Sequence, residues 1–319
     1  MKFFKRNIIP LLCLVILAFV FFHVEEISDK ISLALEKNPV VVADEANVYQ
    51  KMDDFIFVQN TNDFVPLSYH DILNIYYTIT NNGYKTFTFY CPSEYKDCTK
   101  DVEEISDDPE TLTYINNFIH PYNSFSNIKT VISESGEINI TIHYLYSEEE
   151  IVAINQKVDE ILNASITRNM TDYDKIKTIH DYIIDHTKYD VERNNDENSN
   201  YISYKAYGPL IEGYATCSGY TDAMALFLEK FGIKNFKVAT ELMQEDISGH
   251  VWNAVYLDGK WLHLDLTWDD PVSDDGKDYL QHKYFLINSS ELEEADKGEV
   301  IVKEHIFSQR IYPELKNNA

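Results

Sequence analysis

Asp258-Gly259 stands between two runs of alternating side chains, His250 to Leu257 and Lys260 to Thr267. An Asp-Gly pair supplies the positive-φ residues of a two-residue hairpin turn, so the two runs pair antiparallel with Trp252 opposite Asp265. Side chains alternate faces along a strand. His250, Trp252, Ala254 and Tyr256 therefore share a face with Trp261, His263, Asp265 and Thr267. His250 and Asp265 become diagonal neighbours, about 7–8 Å apart at the backbone and closer at their side-chain ends, a gap that an Asp–His hydrogen bond closes. The other face reads Val251, Asn253, Val255, Leu257, Leu262, Leu264 and Leu266, which is ordinary core.

A thiol precedes this hairpin. From Ala223 the apolar spacing is helical, and Gly232 is the expected stop, so Cys217 falls in or just before the first turn of that helix. Unpaired N–H groups and the helix dipole favour a thiolate there. Read alone, Cys217 is equally a small buried hydrophobe, as most free cysteines are. Read with His250 and Asp265, it completes the parts of a cysteine nucleophile system: a thiol, an imidazole and a carboxylate on separate rigid elements.

Those residues carry a family resemblance. The run from Ala206 through Gly213 and Cys217 to Tyr220, then Gly249 to Asn253, then Leu264 to Pro271, resembles the transglutaminase-like superfamily, in its bacterial secreted or membrane-attached branch. Lys283 to Leu286, His305 and Tyr312-Pro313 extend the likeness, which covers roughly residues 171 to 313. The resemblance implies a papain-like catalytic domain, with a catalytic helix packed on an antiparallel sheet, Cys217 as nucleophile, His250 as base and Asp265 as the residue orienting the histidine. The chemistry it implies is acyl transfer on peptide or carboxamide bonds. His263 shares the face of Asp265, but the resemblance favours His250 as the base. The expected oxyanion donors are the Cys217 N–H and one side chain of the preceding loop, for which Tyr207 is the candidate.

The N-terminus bears on compartment. Lys2, Lys5 and Arg6 precede an uncharged stretch from Ile8 to Val24, whose 17 residues span roughly 25 Å as a helix. No small-x-small cleavage site follows it, so an uncleaved single-pass anchor is expected, with the N-terminus cytoplasmic and the body extracytoplasmic. If the segment is cleaved, the protein is secreted. A formal charge of −26 argues against a nucleic-acid partner. Cys91 and Cys98 lie in a short polar loop, and outside the cell two such cysteines most simply form a disulfide.

The sequence thus reads as an α+β chain. An anchor (1–24) and a polar stalk (25–50) lead into a small α+β domain (51–146), a bridging helix (147–170) and the catalytic domain (171–313). In the small domain, strands are expected at Phe55 to Gln59 and Tyr84 to Tyr90, helices at Tyr69 to Thr80 and Asp108 to Phe118, and a hairpin around Ser135-Gly136. Ser147 caps a helix running to about Arg168, and another starts near Asp172 and runs toward His186. Arg193 to Asn200 is expected to be a loop.

No cofactor or metal is expected. His180 and His186 read as hydrogen-bonded groups of their helix, and the run Asp269, Asp270, Asp274, Asp275, Asp278 lacks EF-hand spacing before Gly276. The expected partner is a protein or peptide substrate, with cell-wall peptide among the choices. Hydrolysis makes the chain a peptidase or amidase, and an amine acceptor makes it a cross-linking transferase. The reading from another class is a noncatalytic surface module that binds peptide or cell-wall polymer.

Overall fold

Two four-stranded antiparallel sheets arise from two hairpins. In the computed structural model, which describes residues 23–24, 42–191, 202–241, 249–271, 279–297 and 304–317, the first sheet combines β1 (Val42–Ala43), β2 (Thr86–Tyr90), β3 (Phe125–Ile132) and β4 (Glu137–Tyr144) in the order β1-β2-β4-β3. Helices α1 (Tyr69–Asn81), α2 (Cys98–Asp107) and α3 (Pro109–Phe118) accompany it. Ser68 and Asp108 cap α1 and α3 with their side chains, and Pro109 takes the tolerated first turn of α3.

The polypeptide then forms α4 (Glu148–Ser165) and α5 (Asp172–His186), each opened by a capping box, Ser147 with Glu150 and Thr171 with Asp174. A short parallel pair, β5 (Lys188–Tyr189) and β6 (Tyr214–Ala215), leads into α6 (Cys217–Phe231), which ends at Gly232 with φ 68°. The second sheet follows. It contains β7 (Asn235–Ala239), β8 (Val251–Leu257) and β9 (Lys260–Leu264), then the four-residue helix α7 (Leu266–Asp269), and finally β10 (Phe285–Ile287), in the order β10-β9-β8-β7. Helix α8 (Ser289–Ala295) comes after it.

Both faces of the second sheet are buried, and this fixes how the two halves meet. Val255 and Leu264 join a core with Ala223, Met224 and Phe227 of α6, Ile179 and Ile183 of α5, and Ile154 and Val158 of α4. Helix α4 is therefore part of the C-terminal half's core. The opposite face, with Phe236, Trp252, Ala254 and Trp261, packs with Phe55, Phe118, Tyr312 and the interior of the first sheet. Phe118 stacks on Tyr312 at 5.7 Å and approaches Phe236 at 5.2 Å, so one apolar core crosses from the small domain to the second sheet.

Three expectations change. Phe55 to Gln59 forms no strand. Phe55 N–H bonds back to the Val58 carbonyl at 3.0 Å, and Phe55 and Val58 insert as loop anchors, which their alternation alone does not distinguish from a strand. Residues 42–50 belong to the folded body rather than to a stalk. Ala43 pairs with Phe87, Asn47 Nδ2 donates to Asn123 Oδ1 at 2.6 Å, and Tyr49 meets Tyr122 edge-on. Helix α2 arises in a polar stretch that begins at Cys98, where Cys98, Val102 and Ile105 mark its buried face. The apolar stretch before His23, the loop at 193–200 and Asp274, Asp275, Gly276 and Asp278 lie outside the described residues. Among the described residues no helix is long and apolar enough to cross a membrane.

Candidate active site

Cys217 is the first residue of α6, so its backbone N–H belongs to the turn that has no acceptor within the helix. The turn is held in place from outside. Thr216 Oγ1 donates to the Ser203 carbonyl at 3.2 Å, and Thr221 Oγ1 reaches the Val251 carbonyl of β8 at 3.0 Å. Gly219 must be glycine, because a Cβ there would meet the Ser203 carbonyl oxygen at 2.3 Å. Close approach of the 202–205 backbone therefore sets where the helix begins. The thiol is free and partly exposed.

His250 directly precedes β8, and Thr240 clamps its backbone from both sides. Thr240 N–H donates to the His250 carbonyl at 2.9 Å, and His250 N–H donates to Thr240 Oγ1 at 3.1 Å. Its ring lies nearly parallel to Trp252, with planes 16° apart. The observed hairpin pairs Ala254 with His263 and Asn253 with Leu264, and Asp258 and Gly259 have φ of 51° and 82°. Continued one step, that register sets Trp252 opposite Asp265.

Asp265 caps α7, its Oδ1 accepting from the N–H groups of Thr267 at 2.9 Å and Trp268 at 3.2 Å. Its Oδ2 takes two histidines, His250 Nε2 at 2.5 Å and His305 Nε2 at 2.9 Å. The carboxylate is 1% exposed and uses both oxygens fully. Burial opposes its charge, but His250 and His305 outweigh this and hold its pKa far below the usual carboxylate range. Burial likewise opposes charge on His250, yet Asp265 and then Cys217 outweigh it and hold the imidazole pKa well above the ordinary value. With Nε2 engaged by Asp265, Nδ1 is the nitrogen left for the thiol.

His263 has both ring nitrogens taken by partners of its own. Trp252 Nε1–H donates to His263 Nδ1 at 3.0 Å, and His263 Nε2 meets Ser289 Oγ at 3.1 Å. That pattern is a neutral ring with its proton on Nε2. Burial, followed by the charge on His305, pushes its pKa down to about 3.

His305 is the residue whose role sequence reasoning missed. It bridges Asp265 and Asp296, with Nδ1 2.8 Å from Asp296 Oδ1, and both nitrogens therefore donate. Its pKa is raised: burial lowers it, and the two carboxylates more than compensate. Its contact with Asp265 crosses 40 residues. No local pattern announces such a contact.

Cys217 and His250 open onto a cleft of about 670 Å³ between the halves. The small domain supplies its Asp108, Glu110 and Tyr114 side, and the C-terminal half supplies Tyr204, Ser218 and Lys237. Lys237 Nζ pairs with Asp222 Oδ1 at 3.0 Å and reaches Ser124 Oγ at 3.1 Å, while Tyr146 OH donates to Asp222 Oδ2 at 2.7 Å. This buried pair ties α6, β7 and the small domain together under the cleft. Tyr207 is not among the lining residues. It packs against the core of α5 and α6, because the helical turn that begins at Gly208 carries it away from the cleft, and Tyr204 lines the cleft instead. Away from the cleft, Cys91 and Cys98 form a disulfide with a Cα–Cα distance of 5.7 Å.

Residues 160–266 match the family model of the transglutaminase-like superfamily. Among curated proteins, kyphoscoliosis peptidase of Mus musculus and of Homo sapiens is each 24% identical over 132 residues, covering 39% of this chain and 20% of the relative. The chain thus spans about a fifth of the length of those relatives. Among solved structures, a TGase crystal structure overlaps 48% of each chain at 16% identity with a TM-score of 0.34. A candidate cysteine protease from Cytophaga hutchinsonii overlaps 44% of this chain and 61% of its own at 13% identity, with a TM-score of 0.28.

Proposed function

Since residues 160–266 are a domain of the transglutaminase-like superfamily, we propose that this chain is a cysteine acyl-transfer enzyme acting on peptide or carboxamide bonds. The observation that supports the reading is the buried His250–Asp265 pair, whose histidine lines the same open cleft as Cys217. In the first half-reaction the Cys217 thiolate forms a bond to the acyl carbon. The C–N bond breaks, and the leaving nitrogen takes a proton from His250. The product is a thioester. Water or an amine then attacks it, His250 takes the proton of the attacking group, and the thiolate leaves.

Asp265 keeps the imidazole oriented and stabilises its charged form. The Cys217 N–H at the helix start is a ready oxyanion donor, and Tyr204 takes the side-chain place assigned from sequence to Tyr207. Whether the acceptor is water or an amine depends on what the cleft admits. The test is incubation of the full-length chain with a glutamine-containing protein substrate such as casein, with and without a primary amine. Peptide-bond cleavage marks a peptidase, ammonia release without amine incorporation marks an amidase, and amine incorporation marks a transferase. Turnover that persists unchanged in Cys217→Ala rules out the thioester route.

We also read the body as extracytoplasmic, supported by the Cys91–Cys98 disulfide and the apolar N-terminal stretch. Protease shaving of intact cells tests that orientation, because a body inside the cell stays intact.

A further inference from the structure

We infer that His180, Asp181 and His282 form a binding site for a divalent transition-metal ion of zinc's ligand preference, away from the cleft. The sequence reading assigned no metal here, and His180 looked like an ordinary hydrogen-bonded helix residue. In the fold, one imidazole nitrogen from each histidine converges on the same carboxylate oxygen. His180 Nδ1 lies 2.9 Å and His282 Nε2 lies 2.6 Å from Asp181 Oδ1. The ligand atoms that the three residues offer lie within 4.8 Å of one another. Tetrahedral zinc, with bonds of about 2.0–2.2 Å, spaces its ligand atoms by roughly 3.3 Å, so the three need to shift by only about an ångström. Two imidazoles and a carboxylate are a donor set that zinc accepts, with a fourth position left for water.

The outer shell is already built. His180 Nε2 meets Asp269 Oδ2 at 3.2 Å with both side chains fully buried, and Asp269 Oδ1 accepts the Tyr284 N–H at 2.9 Å. A histidine ligand whose other ring nitrogen is held by a fixed carboxylate is the arrangement that orients imidazoles on metals. The segment carrying His282 is fixed too. Gln281 N–H donates to the Asp269 carbonyl at 2.9 Å, and the His282 ring lies 5.2 Å from that of His180. The side chains of Asp181 and His282 are 27% and 35% exposed, which gives an ion a way in.

Lys177 occupies the place of the cation. Its Nζ lies 2.5 Å from Asp181 Oδ2 and 3.1 Å from His282 Nε2. Its side chain is 40% exposed at the end of a flexible stem, so an entering dication displaces it outward. A bound ion would brace α5 against the segment that leads into β10, which Gln281 ties to α7, and this does not depend on the acyl-transfer reading.

The experiment is zinc titration of the full-length chain by competition with a chromophoric chelator. It is done in a Cys217→Ala background, so that the thiol is no rival ligand. One zinc per chain is expected. His282→Ala and Asp181→Asn, both at partly exposed positions, should each weaken binding at least tenfold with an unchanged circular dichroism spectrum, and Lys177→Gln should tighten it. Absence of stoichiometric zinc overturns the site. Zinc held as tightly by both His282→Ala and Asp181→Asn also overturns it, since the ion then sits elsewhere, the buried His250, Asp265 and His305 group included.

Discussion

His250 Nε2 and Asp265 Oδ2 stand 2.5 Å apart, between residues only 6% and 1% exposed. In so dry a setting the pair is strong only while the carboxylate is charged and the ring carries its proton on that side. Asp265→Asn keeps the volume but turns one acceptor into an NH₂ facing imidazole donors. Turnover should fall by about 10²–10⁴-fold through misorientation and the wrong tautomer. Measured rates within a few-fold of the parent would remove Asp265 from the mechanism.

The same contact sets a protonation state. Burial opposes the charge on His250, but Asp265 and then Cys217 outweigh it and hold its pKa well above the ordinary value, so the ring keeps its proton to higher pH than a free imidazole does. The stability it contributes is complete below the unfolded value of about 6.5 and is lost as pH rises through the raised folded value. Ring ¹⁵N shifts followed against pH should place the loss of the His250 proton at higher pH in the parent chain than in Asp265→Asn. Loss of the proton at the same pH in both would contradict the pairing.

The hairpin geometry was legible from sequence because Asp258-Gly259 allows one turn type and alternation allows one register on a buried face. The start of α6 was legible from its apolar spacing and Gly232. His305 and the contacts beneath the cleft were not, since His305 reaches Asp265 across 40 residues and Lys237 meets Ser124 only when the two halves share a core. Phe55 and Val58 misled because a loop that buries two apolar residues looks like a short strand.

His120 predicts an acid-side effect of opposite sign. Its Nδ1 accepts the Tyr122 N–H at 3.1 Å, and burial pushes its pKa down to about 4. A depressed histidine costs stability as pH falls below its unfolded value near 6.5, and for this ring the cost by pH 4.5 is about 2–3 kcal/mol. Urea midpoints at pH 7 and 4.5 should show a smaller acid loss in His120→Asn, whose side-chain oxygen can keep the Tyr122 bond. Equal losses in both proteins would mean that His120 titrates normally.

The Cys91–Cys98 bond spans only 7 positions. Closing so short a loop contributes on the order of 2–3 kcal/mol by chain entropy, enough to staple the entry to α2 without holding the fold together. Cys91→Ser with Cys98→Ser should lower the urea midpoint yet leave Cys217 alkylation unchanged. Loss of cooperative unfolding would show a larger structural role.

Position and partner together predict a reactive thiol. Iodoacetamide should label Cys217 in the folded chain at mildly acidic pH far faster than it labels an ordinary free cysteine, and His250→Ala should slow it by at least tenfold. Labelling at the rate of free cysteine in both proteins would leave Cys217 an inert packing residue.

The most direct test of the account is mass spectrometry of the chain quenched in acid during turnover of a glutamine-containing peptide. The prediction is an acyl adduct on the peptide that contains Cys217, discharged by hydroxylamine and absent from Cys217→Ala. Turnover with no adduct on Cys217, continuing in Cys217→Ala at the parent rate, would contradict it.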